Sequence, residues 1–282
     1  IGLACEEAAR IILSENRPFS METAACDEEY EQSSEYDSSF ALQIFAAREA
    51  VFKILAKESL SIHEKLIVIL DMGSKIQQCI NTDEYDNIKS VVNDYLKEGI
   101  AHTLDETRNL SDSGQFEDIS LQQGIRQILY PYEEMEVLNP EWEVILKDII
   151  DSLFEQMSDE EYNILNEEFG TYMVSRAYEY RQLLEYLVFR YFAKSIYDYD
   201  FLGKCQMLVT NFFVIRQMDI IRWLDNHREY SFKDRMDVVH IFSRQVEYSE
   251  DNIENLYEDF IFDDIFKTDS LIAILWIDSE NI

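Results

Sequence analysis

Apolar side chains return every three or four residues along most of this chain, and short polar breaks divide them into segments. That period marks amphipathic helices. Residues 5–14 have an acidic first turn and good helix formers, and Pro18 ends them. In residues 40–57, Phe40, Ile44, Phe45, Val51, Phe52, Ile54 and Leu55 make a broad apolar face. Ser61 and Glu64 form a capping box for a helix to about residue 80. Residues 83–107 read as a further helix, shorter or broken. A helix over 118–129 is broken by Tyr130-Pro131-Tyr132. Asn139-Pro140 opens one through about residue 157, and Ser158 opens another to about residue 168. Gly170 separates that from the longest pattern, 171–197. Residues 202–226 are equally apolar. Ser231 caps 232–248, Ser249 begins a helix through 257, and Asp269-Ser270 starts the last, 271–277.

No stretch shows strand alternation or hairpin turns. The expected fold is all-α, an irregular orthogonal bundle of about ten to twelve helices. Residues 20–39 are acidic and serine-rich without an apolar period, and read as an exposed loop. Residues 1–282 form a single helical body, with a weak subdivision near 109–117, where LSDSG marks a loop.

Composition supports this reading. Hydrophobic residues make up 47%, with only 7 Gly and 3 Pro, so the chain is globular and favours long helices. The net charge is −33, from 57 acidic and 24 basic residues. Such a field repels phosphate backbones and anionic membranes, and excludes nucleic acid and membrane as expected partners. It suits a basic protein surface, although solubility alone explains it. No apolar run approaches the ~18 residues of a membrane span. The four cysteines, Cys5, Cys26, Cys79 and Cys205, are scattered without a CxxC pair, which points to a reducing cytoplasm. The chain starts at Ile1, not Met, and is expected to begin inside a longer protein. GxGxxG, GxxxxGK[ST], GxSxG and HExxH are all absent.

Three polar constellations stand out. Cys5 lies at a helix start, where a thiolate is a good metal ligand; the alternative is a small core residue. Arg190, Tyr191, Asp198 and Asp200 bring a cation and carboxylates to the end of a long apolar helix, either as a binding site or as a buried ion pair. His240, Ser243, Arg244, Glu247, Ser249 and Asn252 are the densest group. His240 to Arg244 and Ser243 to Glu247 are i, i+4 pairs, and Arg244 is placed to pair with Glu247. Such a face can bind a carboxylate, an amine or a cofactor. It can equally be a polar latch between helices, with Ser249 as an N-cap.

The segment VVHIFSRQVEYSEDNIENL resembles the C-terminal part of the flagellin lysine N-methylase family. LACEEAARIIL, residues 3–13, and EYLVFRYFAKSIYDYDFLGKCQ, residues 185–206, resemble the same family in the same order. The resemblance implies methyl transfer from S-adenosylmethionine to lysine side chains of flagellin in the bacterial cytoplasm. It also implies a metal- or iron–sulfur-binding cysteine region upstream, whose last cysteine corresponds to Cys5; the others are absent here. Lysine must lose a proton before it attacks a methyl group, so a base or a desolvating pocket is required. Glu247, Tyr191 and Tyr248 are the catalytic candidates. Arg190, Asp198, His240, Ser243, Arg244, Ser249 and Asn252 are the binding candidates, and Cys5 the metal candidate. The rival expectation is a non-catalytic helical scaffold with an acidic surface. An enzyme calls for a concave site near Arg190, His240 and Arg244, whereas a scaffold packs them as latches.

Overall fold

A computed structural model describes residues 2–17, 19, 38–112 and 119–280, and among these no strand occurs. Fourteen α-helices follow in order: α1 Glu6–Ser14, α2 Ser38–Leu55, α3 Ile62–Asn81, α4 Ile88–Asp94, α5 Ile100–Asp112, α6 Leu121–Glu133, α7 Pro140–Ile149, α8 Asp159–Met173, α9 Ala177–Tyr191, α10 Ser195–Asp198, α11 Phe201–Asp225, α12 Phe232–Phe242, α13 Glu250–Phe262 and α14 Thr268–Glu280. Several run on through π or 3₁₀ turns, so the described residues make eleven continuous α-helical runs. The all-α reading holds.

Local sequence explains most boundaries. Ser61, Ser120, Ser158 and Ser231 each accept from the third helical amide in full capping boxes. Asn139 caps α7 with Pro140 at the first helical position. Four expectations need correction. The loop expected over 109–115 is helical as far as Asp112, and its remainder, with most of the 109–117 subdivision, lies outside the described residues. Pro131 lies inside α6, in its last turn, where few downstream residues depend on the ladder it interrupts. Gly170 sits within α8, and the break falls later, in a 3₁₀ turn at Val174–Arg176. Within the expected acidic loop, residues 38 and 39 belong to α2; residues 20–37 and Cys26 lie outside the described residues.

α11 is the central rod. It is buried along most of its length and packs against α3, α6, α7, α9 and α12. It approaches α3 closely at Gly73, where an added Cβ would lie 2.5 Å from Cys205 Sγ. Several charged groups inside this core are paired. Asp219 accepts from Tyr180 Oη and Arg235 Nη1, each at 2.6 Å, and from Tyr230 Oη. Arg235 also donates to Glu179 at 3.0 Å. Asp278 on α14 meets His63 on α3 and Asn166 on α8. Such pairs lock helix register, because either partner left alone would be a buried charge.

Candidate functional site

α12 does not stop at Phe242 but continues through a π turn, Ser243–Glu247. π turns shift which side chains face inward and are frequent at functional sites. Here Ser243, Gln245, Val246 and Glu247 are all buried. The Glu247 carboxylate accepts from Ser243 Oγ, from Tyr186 Oη at 3.0 Å and from Tyr191 Oη at 3.3 Å. Burial pushes this carboxyl above the ordinary carboxylate range, against those donors and the nearby Arg190 charge. Tyr186 Oη also lies 3.4 Å from the Leu3 amide. Gly2 roofs the cluster so closely that a Cβ there would sit 2.7 Å from Tyr186 Oη.

Of the expected residues, the fold therefore brings together Tyr191, Ser243 and Glu247, with Arg190 beside them. Arg190 itself is exposed and lies 5.7 Å from the Tyr191 ring centroid. The expected pairing of Arg244 with Glu247 is not made: Arg244 points to solvent while the π turn carries Glu247 inward. Tyr248 is 65% exposed and outside the cluster. Asp198 is served by Lys204, at 2.7 Å, and not by Arg190. Lys204 is buried over the Tyr257 ring at 4.0 Å and also faces Asp200 at 3.5 Å. Ser249 caps α13 by accepting from the Asn252 amide. Asn252 and Gln245 clamp the α6–α7 connection through Glu136, Leu138 and Asn139, so these residues form a latch. Sequence reasoning passed over Tyr186 and Gln245. Tyr186 lies five residues from Tyr191, a spacing that does not mark one α-helical face.

Cys5 is exposed at the N-cap of α1, and its side chain caps no amide. Cys79 and Cys205 are in the core. No group of three or more metal-ligating side chains occurs among the described residues. One accessible thiol cannot hold an iron–sulfur cluster, which needs several cysteines. The described residues therefore do not fit that group.

His240 opens on a different feature. With Arg222 of α11, Asp237 and Ile241 of α12, and Glu141, Val144 and Ile145 of α7, it lines a groove of about 590 Å³. Its Nδ1 is shielded from solvent and has no hydrogen-bond partner. Arg222, Asp237 and Glu141 were not singled out from sequence. They look like ordinary surface charges, and only the crossing of three helices makes them neighbours. Asp237 also pairs with Lys233 at 3.3 Å, at an exposed position. The groove thus offers an apolar wall and charges of both signs beside the His240 ring, parts that a small-molecule site uses.

A helical body with no strand among its described residues, an open, mixed-charge groove and no glycine-rich nucleotide loop in its sequence defines a helical domain distinct from Rossmann-type enzymes. Residues 48–274 match the FliB lysine N-methylase C-terminal domain, and the chain belongs to that family. The membership gives it a lysine N-methylase-like role. Neither the curated proteins nor the solved structures contain a match. No described helix is long and apolar enough to cross a membrane.

Proposed function

We propose that this domain serves methyl transfer from S-adenosylmethionine to lysine side chains of flagellin in the bacterial cytoplasm, with the α7–α11–α12 groove as the reaction site. The observation that carries this reading is the groove at His240. It is the concave site that an enzyme requires, and a scaffold built only of latches would lack it. Arg190 and Arg244 do not line it, so the proposal narrows to His240 and its groove neighbours.

S-adenosylmethionine, when bound, supplies an electrophilic methyl group on a sulfonium. The lysine ammonium first gives up a proton, and His240 is the groove residue suited to accept it. With the donor bound, the neutral amine would be the nucleophile for that methyl group, the C–N bond forming as the C–S bond breaks and the electron pair staying on sulfur. The acidic surface, net charge −33 over the chain, draws a basic segment towards the site. Glu247 is roofed by Gly2 and ringed by hydroxyls, which suits an anchor for the start of α1 better than a base in contact with lysine.

The test uses the full-length protein with flagellin and S-adenosylmethionine, and reads methylated lysines by mass spectrometry. Val144 is 60% exposed on the groove wall, so Val144→Trp fills the groove at little cost to the core. Methylation should fall sharply in this variant, with an unchanged unfolding midpoint. Full activity in Val144→Trp would place the reaction elsewhere. Absence of methylation by the unaltered protein would remove the enzyme reading altogether.

A further inference from the structure

We infer that the groove holds the amino-acid end of the sulfonium methyl donor, with Arg222 taking its carboxylate and Asp237 its ammonium. This rests on the methyl-transfer reading above and assigns residues to a donor that no sequence motif places. An α-amino-acid group carries opposite charges on one carbon, so its site needs a cation and an anion on one concavity, with an apolar wall for the rest of the molecule. The groove has these parts: Arg222 from α11, Asp237 from α12, and Val144, Ile145 and Ile241 along the wall.

Arg222 is the informative member. The chain holds 57 acidic against 24 basic residues, so a half-buried arginine finds a carboxylate easily. Arg235 and Arg216 have found polar partners in the core, and the half-buried Arg176 pairs with Glu179. The Arg222 guanidinium makes no hydrogen bond or ion pair to any described residue. Its charge helps hold Asp234 low, but that carboxylate is committed to capping α12 through Ser231 and to Asn226. A guanidinium left over in this way is suited to a bidentate contact with a ligand carboxylate. His240 lines the same groove, with its Nδ1 turned away from solvent. The volume of about 590 Å³ lies within the ~300–1,000 Å³ of ordinary ligand pockets. It is ample for a nucleoside joined to an amino acid.

The experiment measures binding, with no turnover. S-adenosylhomocysteine, the unreactive thioether, is titrated calorimetrically into the unaltered chain and into Arg222→Gln, Asp237→Asn and, as a distant control, the exposed Lys89→Gln. Loss of a charge-assisted pair predicts at least about tenfold weaker binding for Arg222→Gln, and a smaller loss for Asp237→Asn. Lys89→Gln should bind normally. Free methionine, which shares the amino-acid end, should compete weakly, whereas an acetylated, amidated lysine peptide should not. Competition by that peptide alone would assign the groove to lysine and overturn the proposal. Unfolding midpoints confirm that each variant is folded. Equal binding by the unaltered chain and a folded Arg222→Gln overturns the assignment. So does no binding by this chain when the full-length protein methylates flagellin, an outcome that leaves the methylation reading standing. If neither binding nor methylation occurs, both fall.

Discussion

Asp278 supplies a stringent test of how the core is held. It is fully buried on α14, its Oδ2 lies 2.7 Å from His63 Nε2, and its Oδ1 accepts from Asn166 Nδ2 at 2.5 Å. Asn166 in turn accepts from Arg216 at 2.8 Å. Burial alone would raise the carboxyl; Arg216, His63 and the amide donor outweigh it and hold Asp278 at about 2, against 3.8 for the free side chain. That difference corresponds to about 2 kcal/mol of stability. The folded value is depressed, so the stabilisation is complete above the unfolded value of 3.8 and is lost as pH falls from there towards 2. Asp278→Asn keeps the shape, removes the charge and leaves Arg216 without its counter-charge. Urea unfolding near neutral pH should show a loss of about 2–3 kcal/mol. The gap between wild type and variant should narrow when both are measured near pH 3. A gap of the same size at both pH values would refute the reasoning, because it would then owe nothing to the ionised carboxylate.

Three further outcomes follow from the packing. Glu247 is displaced upward, so its sign is opposite: its contribution is present below the unfolded value of 4.5 and is lost as pH rises through the folded value. Glu247→Gln should flatten that part of the curve of unfolding midpoint against pH. Gly73→Ala should cost about 1–3 kcal/mol through collision with Cys205, and Cys205→Ala in the same chain should recover part of it in a double-mutant cycle. Gln245→Ala should accelerate hydrogen exchange at the Leu138 and Asn139 amides, which donate to its side chain, at a cost of about 1–3 kcal/mol.

The elements were legible because their signals are local. Ser61 with Glu64, Asn139 with Pro140, and Ser231 with Asp234 are set by neighbours three residues apart at most, and each helix begins where these residues place it. Gly170 and Pro131 misled for a related reason. A breaker sets a cost, not a boundary, and the packed contacts of α6 and α8 exceed that cost. The ionic core was not read from the sequence: residues 202–226 read as an apolar helix, although Arg216 and Asp219 interrupt it and are buried. The identity of their partners, Asn166 and Arg235, depends on which helices cross.

The 243–252 cluster shows where reading by spacing fails. On a regular helix, Arg244 and Glu247 are three apart and would meet on the surface. The π turn alters the angular step between 243 and 247, turning Glu247 towards Tyr186 and Tyr191 and leaving Arg244 in water. The same segment then commits Gln245 and Asn252 to the α6–α7 connection. The polar richness of this stretch therefore records a junction where three parts of the chain are tied: the segment ahead of α1 at Gly2 and Leu3, the C-terminal half of α9, and the connection ahead of α7. His240 precedes Glu247 by seven residues, about 10 Å along the same axis, and is left facing an open groove. A junction that fixes α7 and α12 relative to each other also fixes the two walls of that groove. The latch and the site are thus consecutive parts of one helical run, and latch variants should loosen ligand binding without touching the ligand.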